Sequence, residues 1–202
     1  MTELALLVAG AIVIVSSRSI VALSAYVLLA AGISALAVPS ASASPLTLAL
    51  FILATTIKVV LVPAGIVMFL RANPAAGDLR SSIVLPVRLV LVVGFGLLAY
   101  AVARFPGLAA IPYGATVAYV LLCGVGMLIV HRNLIAHMLG LLTLGVAITL
   151  AGAIFAPQLL ESFELGATFD ALVATVIGLT LVRSIIAHNP LLDVDSLRRL
   201  RG

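Results

Sequence analysis

The sequence predicts an all-α, polytopic integral membrane helix bundle of about seven transmembrane helices, with the N-terminus outside and the C-terminus inside. Three observations carry this expectation. Hydrophobic residues make up 64% of the 202-residue chain, mean hydropathy is +1.36 and only 9% of residues are charged. A soluble protein with that composition lacks the polar surface to cover its outside. Apolar stretches recur at a length of roughly 20 residues, which matches about 30 Å of hydrocarbon at 1.5 Å per residue. The bases also sort to alternate breaks between those stretches. Backbone in lipid must satisfy its own hydrogen bonds, so the spans are expected as helices. The alternating pattern of a membrane barrel is absent.

In chain order the apolar stretches run over residues 2–16, 20–38, 46–70, 83–103, 111–130, 134–156 and 163–187. The first is short, which a span accommodates by thinning the bilayer locally. Turn and charge signals mark the breaks: Ser17-Arg18, the Pro/Ser/Ala run at 39–44, Arg71-Ala-Asn-Pro74 through Ser82, Arg104-Phe-Pro-Gly107, His131-Arg-Asn133 and Pro157-Gln158. Seven crossings with the N-terminus outside put Arg18, Arg71, Arg80, Arg132, Arg198, Arg199 and Arg201 on the cytoplasmic side. Arg104 then lies outside with Glu161 and Glu164, both expected in outer loops. An even number of spans scrambles this sorting. No segment is long enough for a water-soluble domain, so function is expected within the membrane or in contacts with other chains. Small residues inside the spans (Gly10, Gly32, Gly140, Gly145, Gly152) allow close helix approach.

Several function classes drop out on composition. A single cysteine, Cys123, makes no internal disulfide, no iron–sulfur cluster and no Cys-rich metal site. No two of the three histidines stand at i, i+4, so no metal or other cofactor is expected in this chain. The net charge of +4 and pI near 9.8 follow from positive-inside loops and do not call for nucleic acid. Met1-Thr2-Glu3 offers no basic n-region, so a cleaved signal peptide is not expected.

An ionisable residue inside a span is a functional candidate by default. Asp170, in Ala167-Thr-Phe-Asp-Ala-Leu-Val-Ala174, lies about two turns into the last stretch. Apolar surroundings favour the neutral acid and a nearby cation favours the ion, a balance that suits a proton carrier. Lys58 is central in the third stretch, in Ile57-Lys-Val-Val-Leu-Val-Pro63, where insertion of a lysine costs about 2.5–3.5 kcal/mol on translocon scales. It is expected to face a polar interior or an acid, with Asp170 as the partner. Pro63 removes a backbone donor and frees a carbonyl nearby. His137 lies one turn into the sixth stretch; histidine as a residue type is suited to passing protons, so it is a candidate for the cytoplasmic mouth of a proton path. Arg88 is expected to snorkel to lipid headgroups from the inner end of the fourth stretch. The structural alternatives are an ion pair for Lys58, a hydrogen-bonded acid for Asp170 and a satisfied core histidine for His137.

The stretch His131-Arg-Asn-Leu-Ile-Ala-His-Met-Leu-Gly140 resembles the start of the second helix of the K subunit of bacterial complex I. The ending Leu191-Leu-Asp-Val-Asp-Ser-Leu-Arg-Arg-Leu-Arg-Gly202 resembles that family's tail. The earlier spans, with Ile57-Lys-Val-Val-Leu-Val-Pro63, are similar to the longer relative, hydrogenase-4 component E. The resemblance implies four N-terminal membrane helices over 1–106 and three K-subunit-like helices with a short tail over 107–202. It also implies a membrane subunit of a proton-pumping oxidoreductase complex, without a catalytic centre of its own, in a prokaryotic inner membrane. The implied partners are antiporter-like membrane subunits and a hydrogenase- or dehydrogenase-like peripheral arm. K subunits carry a glutamate in each of their last two helices, where this chain has Leu142 and Ala174. The Glu-Asn-Gly of component E relatives reads Leu144-Gly-Val146 here, so a relay is rearranged or incomplete. A subunit of a multi-subunit cation/proton antiporter and a purely structural scaffold are the alternatives.

Overall fold

A computed structural model describes residues 2–38, 44–79, 81–105, 113–156 and 159–188. The described chain is helical: α1 (Thr2–Val15), α2 (Ser19–Leu36), α3 (Pro45–Thr56), a π-helical turn (Ile57–Leu61), α4 (Val62–Ala72), a 3-10 turn (Pro74–Gly77), α5 (Leu85–Ala103), α6 (Gly114–Val130), α7 (Leu134–Phe155) and α8 (Leu160–His188). Five helices among the described residues are long and apolar enough to cross a bilayer: Ser19–Leu36, Pro45–Ala72, Leu85–Ala103, Leu134–Phe155 and Ser162–Ile186. Glu3–Val15 and Gly114–Val130 are apolar but shorter. The tail bases Arg198, Arg199 and Arg201, and Arg80, lie outside the described residues.

The helices pack around a core of Leu6, Val13, Tyr26, Leu29, Ile33, Ile66, Met127, Leu139 and Leu150. α6 and α7 approach closely at a pair of glycines. A Cβ on Gly124 would lie 3.1 Å from the Gly140 carbonyl, and one on Gly140 would lie 3.1 Å from the Gly124 carbonyl. Only a residue without a side chain lets the two backbones meet there. Cys123 is buried as a free thiol, its Sγ turned towards Gly10 of α1.

One end of the bundle is laced by its loops. The Leu79 amide donates to the Ser17 carbonyl at 2.8 Å, and the Ser82 amide donates to the Val130 carbonyl at 2.9 Å. Ser81 and Ser82 hydroxyls also donate to Val130, which closes the end of α6. Asn133 caps α7 by accepting from the Ile135 amide at 2.8 Å, and its own amide donates to the Asp78 carbonyl at 2.9 Å. These bonds satisfy helix-end groups that otherwise have no partner. Residues 16–18, 73–79, 81–84 and 131–133 therefore share one end, so α1, α2, α3–α4, α5, α6 and α7 alternate in direction. Arg18, Arg71 and Arg132 gather at that end, whereas Arg104 closes α5 at the other.

Arg88 corrects the sequence expectation. It is buried, and its Nη1 donates to the Val15 carbonyl at 2.8 Å. Val15 ends α1, so its carbonyl lacks a helical donor and presents partial negative charge. A guanidinium one turn into α5 gains more by capping that end than by reaching lipid. His131 Nε2, 3.1 Å from the Ser16 carbonyl, must carry the proton because a carbonyl only accepts. Burial pushes the His131 pKa below its ordinary value; the bond to Ser16 opposes this and the Arg88 charge adds to it.

Candidate functional site

Pro63 shapes the middle of the α3–α4 span. Without an N–H it cannot donate back to Val59 or, in the wider π register, to Lys58. The chain takes the π register over Ile57–Leu61, with the Val62 amide donating to the Ile57 carbonyl. The next π bond would end on the Lys58 carbonyl. Tyr26 of α2, fully buried, supplies the missing donor through a long hydrogen bond of 3.4 Å from its hydroxyl. A tyrosine in the core is thereby tied to the backbone of the one lysine in the span.

The Lys58 side chain is 3% exposed and forms an ion pair with Glu164 of α8, itself 2% exposed. Glu164 is therefore no outer-loop acid. α8 begins at Leu160, so Glu164 sits one turn inside the helix on its inward face. The partner expected for Lys58, Asp170, is six residues further on. At about 100° per residue those six steps turn the helix about 240°, which takes Asp170 off the Glu164 face. Glu164 Oε1 is buried with no hydrogen-bond partner in the structure, as is the Thr55 hydroxyl one turn before Lys58. Burying two charges costs several kcal/mol per ion before their attraction offsets it. The pair thus holds α8 to α3–α4 at an energetic cost that lipid packing alone would avoid.

Asp170 lies on the rim of a cleft of about 320 Å³ between α7 and α8. Tyr26 and Lys58 also line it, together with Leu142, Leu144 and Gly145 of α7 and Ala167, Ala171 and Ala174 of α8. Leu142 and Ala174, the positions where the resemblance expects glutamates, thus share one cleft with Asp170. The Asp170 side chain is exposed at the bundle surface, eight residues from Ser162 and so about 12 Å into that span. No described residue bonds to it.

His137 does not line the cleft. Its Nδ1 is 2.9 Å from the Asn133 carbonyl, a local bond one turn back. At helical spacing it shares a face of α7 with Leu141, Leu144 and Ile148, all of which line the cleft. It therefore stands at the laced end of the stripe that leads to Asp170 and Lys58. Of the sequence candidates, the structure brings Asp170 and Lys58 to one cleft, leaves His137 about a turn from its edge, and adds Glu164. A signal for Glu164 existed: a buried lysine needs a carboxylate, and the stretch after Pro157 holds few. Comparison with family models, with curated proteins and with solved structures returns no match for this chain.

Proposed function

We propose that this chain is a membrane subunit of a complex I-like or membrane-bound hydrogenase-type oxidoreductase complex in a prokaryotic inner membrane. In this reading it spans the bilayer seven times, N-terminus out and C-terminus in. The laced, Arg-bearing end is then cytoplasmic. The chain belongs with hydrogenase-4 component E, has no catalytic centre of its own, and helps anchor a hydrogenase- or dehydrogenase-like arm beside antiporter-like subunits. It lines or flanks a proton path.

The observation that carries this reading is a cleft between apolar helices lined by both Asp170 and Lys58, the lysine standing in a π-helical break and paired behind the cleft with buried Glu164. Charges at that depth are costly and are kept where ions or protons move. Asp170 is the exchangeable site, the Lys58–Glu164 pair sets the field behind it, and His137 stands towards the cytoplasm. Leu142 and Ala174 on the same cleft favour a second reading, a structural scaffold in which the relay carboxylates are gone. Proton transport in inverted vesicles, measured against electron transfer, separates the two. A relay loses transport in Asp170→Asn and retains part of it in Asp170→Glu, whereas a scaffold keeps transport in both. Only antiporter-like chains in the purified complex, with no redox arm, would replace the first reading with a cation/proton antiporter.

A further inference from the structure

We propose that the α7–α8 cleft is the seat of a transmembrane helix from another subunit, which presents a lysine or arginine side chain to Asp170. The inference rests on the reading that this chain belongs to a larger membrane assembly, and it names the chemistry of the partner.

Charge is the first argument. The charged groups at the cleft and behind it are Lys58, Glu164 and Asp170, one cation against two carboxylates. Lys58 is committed to Glu164, and Glu164 Oε1 remains without a donor. The site therefore carries one acid in excess, and a cation is what complements it. Exposure is the second. Asp170 faces outward, well inside its span, with no described partner, and lipid hydrocarbon offers it neither donor nor countercharge. Shape is the third. Gly145, Ala167, Ala171 and Ala174 line the cleft, and a Cβ added at Gly145 meets nothing within 4 Å. Small residues around an open groove let a second backbone approach closely. Leu141 and Ile148 at its edge are 51% and 47% exposed and would cover the flanks of the inserted helix.

The test uses the full chain in its native membrane with a photoreactive side chain at position 145, where there is room for one. The attached peptide is then sequenced. The expected product is an apolar transmembrane segment of another subunit with a Lys or Arg within one helical turn of the attachment point. Asp170→Ala leaves that cation unpaired and lowers the yield about tenfold. Asp170→Glu restores it, and Asp170→Asn, whose amide oxygen still accepts from the cation, retains much of it. A probe at Val93 on the exposed face of α5 reports on lipid-facing surface and does not respond to position 170. Attachment to lipid alone, to a segment without a base, to a second copy through a face lacking one, or a yield indifferent to Asp170→Ala each overturns the proposal. A basic helix from a complex with no redox or antiporter-like member upholds the docking and removes the functional reading. Lipid-only products beside a transport defect in Asp170→Asn do the reverse.

Discussion

The laced end and the α7–α8 cleft both bury polar side chains, and they satisfy them by opposite means. At the laced end Arg88, His131, Asn133 and the serines at 81 and 82 all bond to backbone carbonyls or amides at helix ends. Those backbone groups need partners wherever the chain goes, so each bond satisfies two groups at once. Arg88 Nε and His131 Nδ1 still lack partners there; at the cleft and behind it, by contrast, Lys58 and Glu164 meet each other, one Glu164 oxygen is left over and Asp170 has no described partner. The first arrangement builds a fold. The second sets charge against charge where two apolar residues would also pack, and leaves Asp170 over, which is what the proposed proton path and docking surface build on.

The largest effect that sharpens this contrast is expected at the ion pair. Lys58→Met leaves Glu164 buried without a counterion and costs on the order of 3–5 kcal/mol, read as loss of folded yield and a lowered Tm in mild detergent. Adding Glu164→Leu to it restores most of the stability, because two apolar residues need no countercharge. A stable single variant would mean that the pair is hydrated and that the contrast is false. Gly140→Val, which brings a side chain against the Gly124 carbonyl, is expected to cost roughly 1–3 kcal/mol by thermal unfolding, with no effect on charge-dependent behaviour.

Asn133→Ala removes the α7 cap and the bond to Asp78 and should cost about 0.5–2 kcal/mol. The smallest effect belongs to His131. Its folded pKa lies below the ordinary value of about 6.5, so the unfolded chain takes up the proton first as pH falls. Stability is therefore full above about 6.5 and declines from there towards the lowered folded value. Tm followed from pH 8 to pH 5 should show that slope, and His131→Gln should flatten it.

Much of the helical order was legible in the sequence because lipid demands it. The apolar stretch at 46–70 became the continuous Pro45–Ala72 span, and 134–156 became Leu134–Phe155. Pro63 announced its own disturbance through its missing N–H. What could not be read was which way side chains face. Helices that are apolar all round carry no stripe to orient them, so Arg88 read as a snorkelling base and Glu164 as a loop acid. Glu164 is hidden for a further reason: the last apolar stretch begins at Phe163, whereas α8 starts at Leu160 and carries Glu164 a full turn into the helix. The cleft itself is lined jointly by residues of α2, the π-helical turn, α7 and α8, a property of packing that no single stretch contains.

For the proposed proton path the most direct measurement is proton uptake by inverted vesicles carrying the proposed complex with Asp170→Asn, referred to electron transfer in the same vesicles. The amide keeps the size and one hydrogen bond of the acid and removes its exchangeable proton. A proton path at the cleft predicts a normally assembled complex whose proton transport falls sharply while electron transfer persists, with partial recovery in Asp170→Glu. Unchanged proton transport in the assembled Asp170→Asn complex would contradict it.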